Sequence, residues 1–222
     1  MKQLWMLLSL TLILSACSAQ ASSTPEDAAK EEKEKVSETT SDKQTSNDVY
    51  VPNPQITDDR KLLEVGQSYK DAKGAAELKA IKNVNKTYKV GDAELIVHDV
   101  KIIEHTPDYS MIDFFHTFTH EETFDIVKAN IEIKNTSDQP VYFSPIAVLE
   151  TNTGEHKDWE SDIYLEELNG KLAANSSKKG NVGFILDHSD KEVKSIKILT
   201  SDLLNDKQKV AAKAQELNIE FE

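Results

Sequence analysis

The run Asp125-Ile126-Val127-Lys128-Ala129-Asn130-Ile131-Glu132-Ile133-Lys134-Asn135 decides the fold class. Val127, Ala129, Ile131 and Ile133 fall on one parity; Lys128, Asn130, Glu132 and Lys134 fall on the other. A period of two places successive side chains on opposite faces of a pleated strand, so this run predicts a strand with one face in a core and one in water. Asn135–Pro140 supplies turn chemistry. Val141–Leu149 then predicts the next strand, with Pro145 held to an edge or a bulge because it has no N–H to give to a ladder.

The same signal extends in both directions. Upstream, Gly91-Asp92 marks a turn before Glu94–Ile103, where Ile96, Val100 and Ile102 share one parity and Leu95, Val97 and Ile103 the other. Apolar groups on both parities predict a strand covered on both sides, or a bulge near His98-Asp99. Downstream, turns at Asn152–Gly154 and Ala174–Lys179 separate further strands at Gly180–Leu186 and Val193–Leu199, and Leu217–Phe221 alternates as a last one. Between these, Ser201–Glu216 changes period: Leu203, Lys207, Val210, Ala211 and Ala214 repeat at helical spacing and predict a short helix near the C-terminus. Short strands punctuated by turns predict a mainly β protein, an antiparallel sandwich over residues 88–222, with residues 56–87 as an N-terminal extension of the head. Glu64–Gln67 and Lys89–Asp92 echo one another, but four residues are too few to define a repeat.

The N-terminus reads differently. Lys2 precedes an apolar run, Leu4–Leu14, that is too short for a spanning helix of about 20 residues. Its length, its charge and the small residues that close it match an export signal over residues 1–16. Residues 17–55 are dominated by Ser, Thr, Glu, Lys, Asp and Asn, which cannot offset the entropy of ordering, so they read as a disordered linker. As a coil such a linker averages roughly 35 Å end to end. Thr24–Val36 carries a capping Thr24, Pro25 at the first helical position and Glu/Lys pairs four apart, the signals of a transient helix.

Composition narrows the functions. The 222 residues carry 26 basic and 39 acidic groups, a net charge of −13. That sign disfavours nucleic acid, whose phosphates demand a basic face, and it disfavours broad docking on anionic headgroups. Arg60 is the one arginine, which argues against bidentate recognition of phosphate or carboxylate. Cys17 is the one cysteine, so disulfides and thiolate metal sites do not arise within the chain. No phosphate-cradling glycine loop, G-x-S-x-G elbow or kinase set occurs, so the expectation is a protein that is not an enzyme and needs no cofactor.

Two resemblances follow from the residues quoted. Leu14-Ser15-Ala16-Cys17 resembles the lipobox of bacterial lipoproteins. The resemblance implies cleavage before Cys17, a diacylglyceryl thioether on it, and attachment to the outer face of the cell membrane. Two or three acyl chains suffice for firm anchoring. The run Ala129–Pro140, then Val141–Val148, Leu172, Lys179-Gly180 and Phe184, resembles the telokin-like, immunoprotective-extracellular-protein type of Ig-like domain. That likeness covers about residues 88–222, and Asn175-Ser176 stands where the family often has a Pro-Gly turn. It implies an extracytoplasmic module that binds a protein or another component of the cell envelope.

The stretch Thr106–Phe124 concentrates the chemistry. Phe114, Phe115, Phe118 and Phe124 fall within it, and His116 and His120 lie four apart. Three readings stand. The aromatics cap one end of the sandwich; or Phe114, Phe115 and Phe118, with Trp159 elsewhere, form a partner-binding surface; or His116, His120 and Glu121 or Glu122 ligate a metal. The order H-x-x-x-H-E-E differs from the metalloprotease H-E-x-x-H. Asp158, Glu160 and Asp162 alternate like a calcium loop but lack its glycine and distal glutamate, and read as a solvated edge beside Tyr164. His98, His105, His156 and His188 are scattered and read as solvated or satisfied imidazoles.

Overall fold

The computed structural model describes residues 52–187 and 191–221. The export signal, Cys17, the linker up to residue 51, the Thr24–Val36 helix and His188 lie outside the described residues.

Strands β1 (Ser68–Asp71), β2 (Gly74–Val90), β3 (Ala93–Pro107) and β4 (Phe124–Asn135) run antiparallel in sequence. A one-turn helix, α1 (Ile112–Phe115), lies in the β3–β4 connection. Then follow β5 (Val141–Phe143), β6 (Val148–Thr151), β7 (His156–Asp158), β8 (Gly170–Leu172), β9 (Ser177–Ile185), β10 (Ser195–Leu199), β11 (Leu203–Leu204), β12 (Val210–Ala212) and β13 (Glu216–Glu220). They form a five-stranded sheet, β1-β2-β3-β4-β9, and two smaller sheets, β13-β10-β6-β7 and β12-β11-β5-β8. Every pairing is antiparallel, as the alternation predicts.

The main core lies between the large sheet and the two small ones. Val127, Ala129, Ile131 and Ile133 of β4 meet Phe143, Leu149, Leu172, Phe184, Ile196, Ile198, Leu203, Leu217 and Ile219 there. The bulge expected near His98-Asp99 is present: the β3–β4 register slips between Val97 and Asp99. A second slip lies between Asn83 and Lys86 of β2, where Asn85 takes φ +45°. Such bulges, with Lys82, Lys86 and Lys89, protect the open edge of β2 against pairing with other chains.

The structure departs from the sequence reading in four places. Val141–Leu149 is two strands in two different sheets, β5 and β6, because the chain leaves the ladder at Ser144–Ala147 around Pro145. Ser201–Glu216 is not helical; β11 and β12 form a tight hairpin there. The Asn205 side chain accepts from the N–H groups of Lys207 and Lys209, and Gln208 takes φ +57°. Local side-chain bonds of this kind give the backbone an alternative to the helix. The short helix of the fold is α1 instead.

Third, the outward face of β4 meets water only in its second half: Asn130, Glu132 and Lys134 are partly exposed as expected, but Lys128 is buried. Residues 52–62 run across the outer face of the large sheet as a strap. Ile56 enters a small apolar cluster with Phe115, Phe124, Ile126, Ile163, Tyr164 and Ile185; Leu62 enters another with Ala76, Leu78 and Ile103. The expected boundary between residues 87 and 88 therefore falls inside β2, and residues 56–87 share the sheet and its packing. Fourth, Asp162 is buried rather than solvated. It accepts from the N–H groups of Tyr164 and Gly183 and so closes the free edge of β9.

Candidate functional site

The β3–β4 connection builds an aromatic end. Asp108 accepts from the Ser110 N–H and caps a turn at Tyr109–Met111, and α1 follows directly. This turn drives Phe115 inward, where it is 2% exposed. Its ring centroid lies 5.1 Å from Phe124, 5.0 Å from Phe114 and 5.2 Å from His105. Phe115 is thus a core side chain and not the contact residue expected from its place in the sequence. Phe114, Phe118 and Met111 are half-buried against the same cluster, and Tyr109 beside them is 89% exposed. Trp159 stands in a separate turn, Trp159–Ser161, 47% exposed and without ring contact to these residues.

His116 and His120 come together as their spacing predicts, with ring centroids 5.5 Å apart, and both are exposed. Glu121 and Glu122 are exposed on the segment that follows. Among the described residues, no group of three or more His, Cys, Asp or Glu side chains is placed to hold a metal ion.

The sequence reading missed a buried charge cluster under the strap. Lys101 Nζ donates to Asp59 Oδ2 at 2.9 Å, and Lys128 Nζ donates to Asp59 Oδ1 at 2.6 Å. All three side chains are 4–6% exposed. Burial alone would push Asp59 up, but the two ammonium groups outweigh it and hold its carboxyl below the ordinary range. Asp99 is in the same outward row, and burial pushes it up against the pull of Lys128 and Lys101. Two residues toward the N-terminus from Asp59, Thr57 Oγ1 meets Nε2 of the fully buried His105 at 3.2 Å. Burial lowers His105 to about 4, so it is neutral at physiological pH. The available signal was Ile56 and Leu62 flanking an acid in an otherwise polar stretch.

A groove of about 640 Å³ opens on the other side of the large sheet. Ile102 and Val193 are its buried apolar lining, with Phe221 half-buried among them; Leu78 borders it but packs with Leu62, Ala76 and Ile103 on the strap side. Asp125 is the buried acid of the groove, 5% exposed. It stands directly opposite Glu104 on the neighbouring strand. Burial, partly opposed by Lys79 and reinforced by Glu104 and Glu155, pushes Asp125 up to about 6.

The fold and these sites define an antiparallel β-rich module, and comparison with known proteins gives its family. Residues 82–210 match the family described as "Domain of unknown function (DUF4352)", and the chain belongs to that family. It is 46% identical over 236 residues to "Uncharacterized protein YdhF" of Bacillus subtilis (strain 168), covering 100% of both chains. It is 29% identical over 184 residues to the "SPbeta prophage-derived uncharacterized lipoprotein YonS" of the same organism, covering 80% of this chain and 77% of that one. A crystal structure of a conserved hypothetical protein from Bacillus anthracis matches 61% of this chain and 96% of its own, at 14% identity and a TM-score of 0.32. Among the described residues, no helix is long and apolar enough to cross a membrane.

Proposed function

We propose that this chain is a lipoprotein, fixed by acyl chains on Cys17 to the outer face of the cell membrane, whose folded head binds a protein or another component of the cell envelope and performs no catalysis. The lipobox-like Leu14–Cys17 and the similarity to a protein named a lipoprotein support the anchoring. The resemblance of residues 88–222 to telokin-like Ig-like domains supports a binding role for the head.

One observation carries the binding surface: Tyr109 is 89% exposed directly before α1, next to the half-buried Phe114 and Phe118. Exposed aromatic and apolar side chains gathered in one segment suit an interaction site, and a tyrosine offers a large contact area at low entropic cost. Trp159, 47% exposed in the turn Trp159–Ser161, is a further exposed aromatic of the head. The His116–His120 pair would support a metal-binding role, but it lacks a third donor among the described residues, and two imidazoles alone make a poor site.

The test has two arms. Growth with an alkyne fatty acid should label the chain, and Cys17→Ser should abolish both label and processing; a variant still processed and membrane-bound would overturn the anchoring. A photo-crosslinking amino acid at Tyr109 on intact cells should give a discrete adduct that Phe118→Ser weakens. Adducts unaffected by that change would overturn the aromatic surface.

A further inference from the structure

A rigid turn beside the groove presents two aliphatic side chains to water. Leu63 and Val65, 64% and 65% exposed, are the most exposed large aliphatic side chains among the described residues. A single exposed leucine is ordinary, but this turn is tied down. Gln67 Oε1 accepts from the N–H groups of Leu63 at 2.8 Å and of Glu64 at 3.1 Å. The Gln67 N–H donates to the Glu64 carbonyl at 3.0 Å, and the Gly66 N–H donates to the Leu78 carbonyl at 2.8 Å. Gly66 takes φ +85°, a conformation that glycine adopts without steric cost. The turn is thereby fastened to β2, and β2 forms one wall of the groove.

Projection and recess thus belong to one rigid unit. Val65 and Gly66 stand at the mouth of the groove. Inside it, Ala80, Ile102, Val193 and Phe221 offer apolar surface. Its volume of about 640 Å³ has room for an aliphatic side chain and the backbone that carries it. The charges complement one another as well. Glu64, at the tip of the turn, is exposed and in no ion pair among the described residues. On the rim of the groove, Lys79 pairs with Glu104 at 2.8 Å and Lys194 with Glu192 at 3.3 Å. Lys191 on the same rim is exposed and in no ion pair among the described residues. An apolar projection with an acid, next to an apolar recess with an unpaired lysine, makes the patch complementary to itself. A two-fold contact requires that property, because the same patch is used by both subunits.

We infer that this face is an isologous dimer interface and that its partner is a second copy of the chain. Val65 stands close to the two-fold axis. Leu63 of each copy enters the groove of the other and lies on its Ile102, Val193 and Phe221. Glu64 of each copy pairs with Lys191 of the other. Each groove is incomplete without the Leu63 of the second copy, and because the contacts are reciprocal the assembly closes at two. The turn is already fixed in the free chain, so its ordering costs little on association.

The test is sedimentation velocity of the mature chain, residues 17–222, at pH 7 with a reductant that keeps Cys17 from linking two chains. The sedimentation coefficient should rise with concentration between about 10 μM and 1 mM and level off at the dimer. Leu63→Ser with Val65→Ser, both at exposed positions, should weaken association at least about tenfold and leave the melting curve of the dilute monomer unchanged. Glu64→Lys and Lys191→Glu should each weaken association several-fold, and the two changes in one chain should restore it. A chain that stays monomeric up to about 1 mM, as it would if another protein filled the groove, overturns the proposal. So do growth beyond the dimer, association untouched by the Leu63 and Val65 changes, and a doubly charge-reversed chain that associates no better than either single variant. None of these measurements involves a lipid on Cys17 or a contact at Tyr109, so failure here leaves both of those tests untouched.

Discussion

Lys101 and Lys128 stand directly opposite one another on adjacent strands of the large sheet, and both ammonium groups close on the single carboxylate of Asp59. Like charges in that position repel; the strap supplies the acid that makes the pair tolerable. Removing the acid leaves buried charge without compensation, at about 3–5 kcal/mol. Asp59→Ala should therefore lower the unfolding free energy by that order, measured by urea denaturation of the mature chain. Replacing all three residues together by apolar ones of similar volume should cost far less, because a buried ion cluster contributes little net stability beyond a well-packed apolar one. A single variant as mild as the triple would show that the cluster is not what fastens the strap.

Stability should depend weakly on pH between 5 and 7 because two buried groups oppose one another. Asp125 titrates near 6 in the folded chain against an ordinary 3.8. The folded chain binds more protons in that window, so the stability Asp125 contributes is present at low pH and lost as pH rises through about 6. His105 titrates near 4 against an ordinary 6.5, so its contribution is present at high pH and lost as pH falls below 6.5. Each amounts to about 1–2 kcal/mol between pH 7 and 5. Asp99, raised by burial, adds to the sign of Asp125; Asp59, held low, acts only in more acidic solution. In His105→Gln the chain should gain stability on acidification from pH 7 to 5, and in Asp125→Asn it should lose stability. Parallel pH profiles for the two variants would refute the assignment.

How much of this was legible in the residues follows from what alternation encodes. The inward row of β4 was readable because Val127, Ala129, Ile131 and Ile133 are apolar without exception. In the outward row Lys128 was misread because a lysine looks the same whether it meets water or a buried carboxylate, and Asp59 is 69 residues away from it. The β11–β12 hairpin was misread for a related reason. Leu203, Val210 and Ala214 have helical spacing, yet only Leu203 is buried; Asn205, with no apolar signal at all, sets the turn. At the aromatic end the composition identified the cluster, but which ring points inward depended on the cap at Asp108. Periodicity reports a face; it does not report what covers that face.

The four phenylalanines of the aromatic end should separate by role. Phe115 and Phe124 are at most 2% exposed and pack on one another and on His105. Truncating such a ring costs about 3–5 kcal/mol through lost transfer energy and the cavity left behind. Phe118 is half-buried at the outside of the cluster, so Phe118→Ser should cost about 1 kcal/mol or less, in the range of ordinary surface changes. Thermal melts of Phe115→Ala and Phe118→Ser decide this. A Phe118→Ser protein as destabilised as Phe115→Ala would place Phe118 in the core and remove it from any docking surface.

The residues that match the family description, 82–210, should not fold by themselves. That span cuts β2 in mid-strand and omits β1, the strap and β13. It removes Ile56, Leu62, Leu78, Leu217 and Ile219, each at most 4% exposed in the complete head. Burying one such side chain contributes about 1.5–3 kcal/mol, so five of them contribute about 7.5–15 kcal/mol, comparable with the whole stability of a typical domain, about 5–15 kcal/mol. The lysines are affected too: without Asp59, Lys101 and Lys128 face one another with no acid between them. A fragment of residues 52–222 should give a dispersed ¹H–¹⁵N spectrum and a cooperative melt, and a fragment of residues 82–210 should give neither. A dispersed spectrum from the shorter fragment would mean that the strap and β13 decorate a core that is complete without them.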